Sequence, residues 1–241
     1  MKPLLWFQIS ALLKLKWITF LNMQQGRKSP NSLFPSPQQV GAPVFLWWLV
    51  GVMAVIEIVL SAADTGAIGS PEWRWIVFSY GAFWRPIFSG EIAPIFSGQD
   101  FTMFVSHAFL HGNFLHFAMN CAVLLAIGKV VANRIGTGKT IMAFLLSAVG
   151  GAAAFGLIST GNGPMIGASG AVFGLIGIWQ AWDFSLRRRR NLPLGPVVKS
   201  VFALVLANIL LFVVLSSGLA WEAHLGGWLV GVGSAASFAR V

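Results

Sequence analysis

Apolar residues run along this chain in long uninterrupted stretches, with no alternation and few polar breaks. A membrane-crossing helix needs ~20 mostly apolar residues. Six stretches approach that length: 43–63, 114–131, 140–159, 168–182, 196–217 and 219–238. They are too long and too evenly apolar for barrel strands, and a bilayer otherwise tolerates only helices. The pattern therefore predicts an all-α polytopic membrane protein with a six-transmembrane-helix bundle over residues 43–241. Residues 4–21 mix Trp and Leu with Lys14 and Lys16, which suits a basic interfacial helix better than a secretory leader. Residues 22–42, with Pro30, Pro35 and Pro37, read as a linker. Residues 1–42 are thus expected to be a cytoplasmic tail.

Composition agrees with that pattern. Of 241 residues, 56% are hydrophobic and only 10% charged, against about a quarter charged in soluble domains. The single cysteine, Cys121, rules out an internal disulfide framework. A net charge of +9 would suit a nucleic-acid binder, but no basic patch is interleaved with base-reading polar side chains. Instead the charge follows topology. With the N-terminus cytoplasmic, all of the 16 basic residues except Arg74 and Arg85 fall in the tail, the turn around Arg134, the run Arg187 to Arg190 with Lys199, and the C-terminus. Most of the acids (Asp64, Glu72, Glu91, Asp100, Glu222) fall toward the other side. Both termini are expected in the cytoplasm, and compactness favours a bacterial inner membrane. The outer segment 64–105 carries Trp73, Trp75, Phe78, Tyr80, Phe83, Trp84 and Phe88, and such aromatic residues favour the headgroup layer. A half-submerged structure is expected there.

Polar groups inside spans are costly and are functional candidates for that reason. His116 and Asn120 are one helical turn apart within an apolar run, and His107 and His111 are spaced likewise just before it. Each could instead simply bond between helices. The fourth span opens Met165-Ile-Gly-Ala-Ser-Gly-Ala-Val-Phe-Gly174. Gly170 and Gly174 fit a close-packing seam. Ser169 falls in the first helical turn, where free backbone N–H groups and the helix dipole favour a developing oxyanion. In the last span His224, Gly227 and Gly231 share one stripe, so a partner helix can come close to the imidazole. A serine needs an adjacent base to attack. Asp183 lies ~21 Å along the helix from Ser169. Glu222 is off the His224 face. Glu57, in the first span, has no assignable partner beyond a guess at Arg85. The reading is a Ser169–His224 dyad without a carboxylate.

Taken together, Gly167-Ala-Ser169-Gly170, Ala223-His224-x-x-Gly227-x-x-x-Gly231 and His107-x3-His111-x4-His116-x3-Asn120 resemble the rhomboid intramembrane serine proteases. The resemblance covers about residues 43–240 in the family's order. It implies that Ser169 attacks a scissile carbonyl and that His224 acts as base, then acid. It also implies that His116, Asn120 and the Ser169 backbone N–H form an oxyanion hole. Four positions depart from the family. Thr102 and Met103 stand where a Trp-Arg pair is common, which bears on outer-segment packing. Ala132 replaces a glutamate, which should loosen the inner end of the bundle. Phe173 replaces a tyrosine against which the histidine stacks, and it keeps the ring face.

The implied partners are the lipid bilayer and membrane-spanning or membrane-entering protein substrates, with no cofactor, metal or nucleic acid. Substrate helices weakened by Gly, Ala or Pro near the outer face would suit such a site. A catalytically silent rhomboid-like helix-binding protein would be expected to have lost Ser or His, and a small transporter would show internal repeats; neither feature is present. The stretch 134–140 mimics a phosphate loop, but Asn133 replaces the first required glycine. The chain has no His-Glu-x-x-His zinc motif. Because the fourth apolar stretch is short, its helix is expected to begin below the outer surface.

Overall fold

The computed structural model describes residues 41–214 and 219–238, and those residues form helices joined by short connections. The predicted interfacial helix at 4–21 and nearly all of the linker lie outside them. In chain order the helices are α1 (Val44–Asp64), α2 (Trp73–Gly81), α3 (Arg85–Phe88), α4 (Gln99–Ser106), a 3-10 turn (His107–Phe109), α5 (Phe114–Ile135), α6 (Thr137–Ile158), α7 (Ser169–Arg189), α8 (Gly195–Val214) and α9 (Trp221–Phe238). Each predicted span coincides with one long helix, and the fold is a polytopic helical membrane bundle. By length and composition four of them, Val44–Asp64, Phe114–Ile135, Thr137–Ile158 and Gly195–Val213, are apolar enough to cross a membrane.

The fourth span is longer than its apolar stretch. α7 runs 21 residues, to Arg189. The apolar stretch ends at Trp182, before Asp183 and the run Arg187 to Arg190. The helix continues because Arg187 Nε bonds both oxygens of Asp183, at 3.0 and 2.9 Å, one turn apart on the same face. The argument that a short helix must begin below the outer surface therefore loses its basis.

Glycine sets the centre of the bundle. α9 packs against α7 and α6 more extensively than any other helices pack together. A Cβ at Gly227 would collide with the Gly170 carbonyl, and one at Gly231 with the Gly174 carbonyl. A Cβ at Gly151 would lie 2.8 Å from the Ala223 carbonyl oxygen. Backbones touch here because nothing stands between them, as small-residue seams in lipid require. The inner end, where Ala132 was expected to loosen contacts, is tied differently. The Arg134 guanidinium lies 4.5 Å over the Trp182 ring, whose indole N–H donates to Ala235 O at 2.9 Å.

The outer segment folds as α2 to α4 around an aromatic cluster. Phe83 is fully buried and meets Phe104, Phe88 and Phe155 with ring centroids 5.1, 5.9 and 6.1 Å apart. Its charged anchor is Arg74, while Met103 is buried in the apolar cluster with Phe83. Arg74 bonds Glu57 Oε2 and Oε1 at 3.0 Å each, Asp64 Oδ2 at 2.7 Å and the His111 carbonyl at 2.6 Å. Glu57 thus pairs with Arg74. Arg85, the earlier guess, bonds Glu91 and Asn162.

Candidate active site

Ser169 is positioned by the strand-like approach to α7. Met165 exchanges two backbone hydrogen bonds with Phe83, at 3.0 and 2.9 Å, and so is fixed to the outer segment. Two residues later, Gly167 N donates to the His107 carbonyl at 2.9 Å. Gly167 has φ +108°, a conformation that side-chain-bearing residues rarely adopt. A Cβ there would also lie 2.8 Å from the His116 ring and 3.8 Å from Asn120 Nδ2. Glycine is required on both counts, and the chain can then turn to start α7 at Ser169. As the first residue of a helix, Ser169 has a backbone N–H with no intrahelical acceptor.

The Gly170–Gly227 contact brings α9 close enough for His224 Nε2 to reach Ser169 Oγ at 2.8 Å. Phe173 stacks on the imidazole with centroids 4.1 Å apart and planes 13° from parallel. The other ring nitrogen, Nδ1, lies 2.6 Å from Asn208 Oδ1 on α8. The imidazole's nitrogens therefore meet Ser169 and Asn208, and neither Glu222 nor Asp183 is among its partners.

α5 brings the second pair to the same place. Asn113 caps that helix, its side-chain oxygen accepting from His116 N at 2.9 Å. Asn120 Nδ2 donates to the His116 carbonyl at 3.0 Å, which leaves one of its two amide hydrogens for another acceptor. His116 Nδ1 accepts from Gly112 N at 3.4 Å, so the neutral ring carries its proton on Nε2, on the side facing Gly167. His107 and His111 are fully buried behind this layer and do not reach Ser169; the His111 ring meets His116 edge-on at 5.2 Å. Burial pushes the His107 pKa down to about 4. For His111, burial and the neighbouring His116 push it to about 3. Both rings are neutral at pH 7. No group of three or more candidate metal ligands occurs among the described residues.

Asn208 escaped the sequence reading. The signal was present, since it is an amide within an otherwise apolar span.

The family profile described as Rhomboid domain matches residues 98–240. The chain belongs to the rhomboid family. Rhomboid protease GlpG of Yersinia pestis (strain Pestoides F) is 27% identical over 191 residues, covering 79% of this chain and 60% of that protein. Rhomboid protease GlpG of Yersinia pseudotuberculosis serotype I (strain IP32953) has the same identity and coverage. Rhomboid-like protease 3 of Toxoplasma gondii is 30% identical over 217 residues, 86% of this chain and 72% of that protein. This rhomboid thus spans less than two thirds of the length of the GlpG relatives.

Proposed function

We propose that this rhomboid is an intramembrane serine endopeptidase in which Ser169 is the nucleophile and His224 the general base. The observation that carries the reading is the 2.8 Å contact between Nε2 and Oγ, with the ring held by Phe173. His224 takes the hydroxyl proton as Oγ attacks the scissile carbonyl. The new oxyanion receives hydrogen bonds from the Ser169 backbone N–H, His116 Nε2–H and the spare Asn120 amide hydrogen. The imidazolium then returns its proton to the leaving amine as the peptide C–N bond breaks. Water, activated by the same imidazole, hydrolyses the acyl-enzyme.

Residues 43–241 carry this chemistry in the proposal, and residues 1–42 are a cytoplasmic tail. Both termini are placed in the cytoplasm of a bacterial inner-membrane protein, so Ser169 serves substrates from the outer side. The substrate must present an extended backbone to Oγ. Membrane-spanning or membrane-entering segments weakened by Gly, Ala or Pro near the outer face meet that need. A silent helix-binding rhomboid would need no aligned base and nucleophile.

The test is labelling by a fluorophosphonate in membranes. Wild type is expected to label, and Ser169→Ala and His224→Ala are expected not to. Equal labelling of wild type and Ser169→Ala overturns the reading.

A further inference from the structure

We propose that Asn208 is a positioning residue for His224, selecting the tautomer and the in-plane orientation in which the imidazole can act as base. This rests on the dyad proposed above.

A neutral imidazole carries one proton. To accept from Ser169 Oγ–H, Nε2 must present its lone pair, so the proton must reside on Nδ1. That N–H is buried with the rest of His224, which is 4% exposed, and a buried donor left without an acceptor is destabilising. The acceptor is Asn208 Oδ1, 2.6 Å away. Stacking on Phe173 fixes the plane of the ring but is indifferent to a half-turn about Cβ–Cγ, which would put ring carbons where the nitrogens stand. Two in-plane contacts, Oγ on one nitrogen and Oδ1 on the other, remove that freedom.

The chemistry also favours an amide at this place. Asn208 lies on α8 among the exposed apolar side chains Val205, Leu206, Ile209 and Leu210. A carboxylate there would carry the cost of an ion in lipid surroundings. An amide oxygen accepts the same hydrogen bond without a formal charge. Once His224 has taken the serine proton, the donor at Nδ1 belongs to a cation, and the bond to Oδ1 strengthens. Support from Asn208 is therefore greater in the transition state than at rest, which is the condition for an effect on turnover.

The experiment uses the full chain in liposomes with a transmembrane reporter substrate, and measures cleavage kinetics and fluorophosphonate labelling in parallel. Asn208→Leu removes the acceptor and suits a lipid-facing helix. It is expected to lower kcat and the labelling rate together by roughly 10- to 100-fold, by analogy with loss of the outer partner of a metal-bound histidine, with KM unchanged. Asn208→Gln keeps an uncharged amide oxygen as acceptor and is expected to recover part of that loss. Wild-type rates in Asn208→Leu overturn the proposal, as do equal losses in the Leu and Gln variants or a change confined to KM. Ser169→Ala and His224→Ala are run beside them. If those variants still label and cleave, the dyad itself fails, and that failure is distinct from Asn208→Leu being silent beside inactive Ser169→Ala.

Discussion

The least buried of the apolar spans and the helices that hold the catalytic pair differ in nearly every respect. In α8 the segment Gly195–Val213 has a mean hydropathy of 2.2 and is only 6% buried within the protein. Val198, Phe202, Val205, Ile209 and Val213 all face outward. α7 and α9 do not reach the apolarity of a simple span, and they lie at the centre, backbone against backbone. The reason is physical. A helix against lipid gains from bulk and branching, while a helix inside a bundle gains from glycine that lets its neighbour approach. Catalytic serine and histidine need that approach, so they occur where the hydropathy signal is weakest.

The contrast is most directly broken by filling the seam. Gly227→Val places a side chain against the Gly170 carbonyl. Separation of α7 from α9 would withdraw Nε2 from Oγ, so labelling is expected to drop to the background of Ser169→Ala. Near-normal labelling would mean that the two helices can part without losing the dyad.

The next effect contrasts two faces of one helix. On α5, Asn120 points inward and is buried, while its neighbour Met119 is 46% exposed. Asn120→Ala is expected to cost ~10²–10³ in turnover, as loss of one oxyanion donor does. Met119→Ala should change turnover little. Cleavage kinetics on one reporter substrate compare both variants, and equal rates would leave the oxyanion to other donors.

These contrasts also show which parts could be read before the fold was known. Ser169 and His224 stand out because each shares a helix with regularly spaced glycine, and a 3.6-residue repeat needs no tertiary information. The Glu57–Arg74 pair could not be read, since the partners are 17 residues apart across an irregular connection. The true end of α7 was hidden because charge signals the end of a span, whereas Asp183 and Arg187 neutralise each other within the helix. Asn208 was visible as a polar residue in lipid, but only the docking of α8 shows that it meets His224.

A smaller effect separates the connection before α5, where His107 and His111 are buried, from α8, which has no histidine. His107 and His111, with pKa values lowered from 6.5 to about 4 and about 3, must stay neutral in the folded state. A lowered folded-state value means that the unfolded chain binds protons first as pH falls. Stability from this source is complete above pH 6.5 and declines as the medium is acidified toward pH 4. Limited proteolysis of the outer loops should accelerate over that range, and His107→Phe should reduce the acceleration. A flat response would mean that protonation is accommodated without opening the segment.

The smallest effect is expected on α8, and it tests the contrast from its other side. Lipid tails are as apolar as leucine, so exchanging one exposed aliphatic for another alters neither transfer energy nor backbone geometry. Val198, Val205 and Ile209 are 65, 51 and 52% exposed. Changing all three to Leu should leave labelling within about twofold of wild type, since surface changes away from special features are typically within ±0.5 kcal/mol. These positions share a helix with Asn208, and Ile209 is its neighbour. If the triple variant were to lose activity as Asn208→Leu is expected to, the outward face of α8 would have a packing partner, and the helix could not be regarded as simply solvated by lipid. If it does not, the contribution of α8 to the active site is concentrated in the contact of Asn208 with the imidazole.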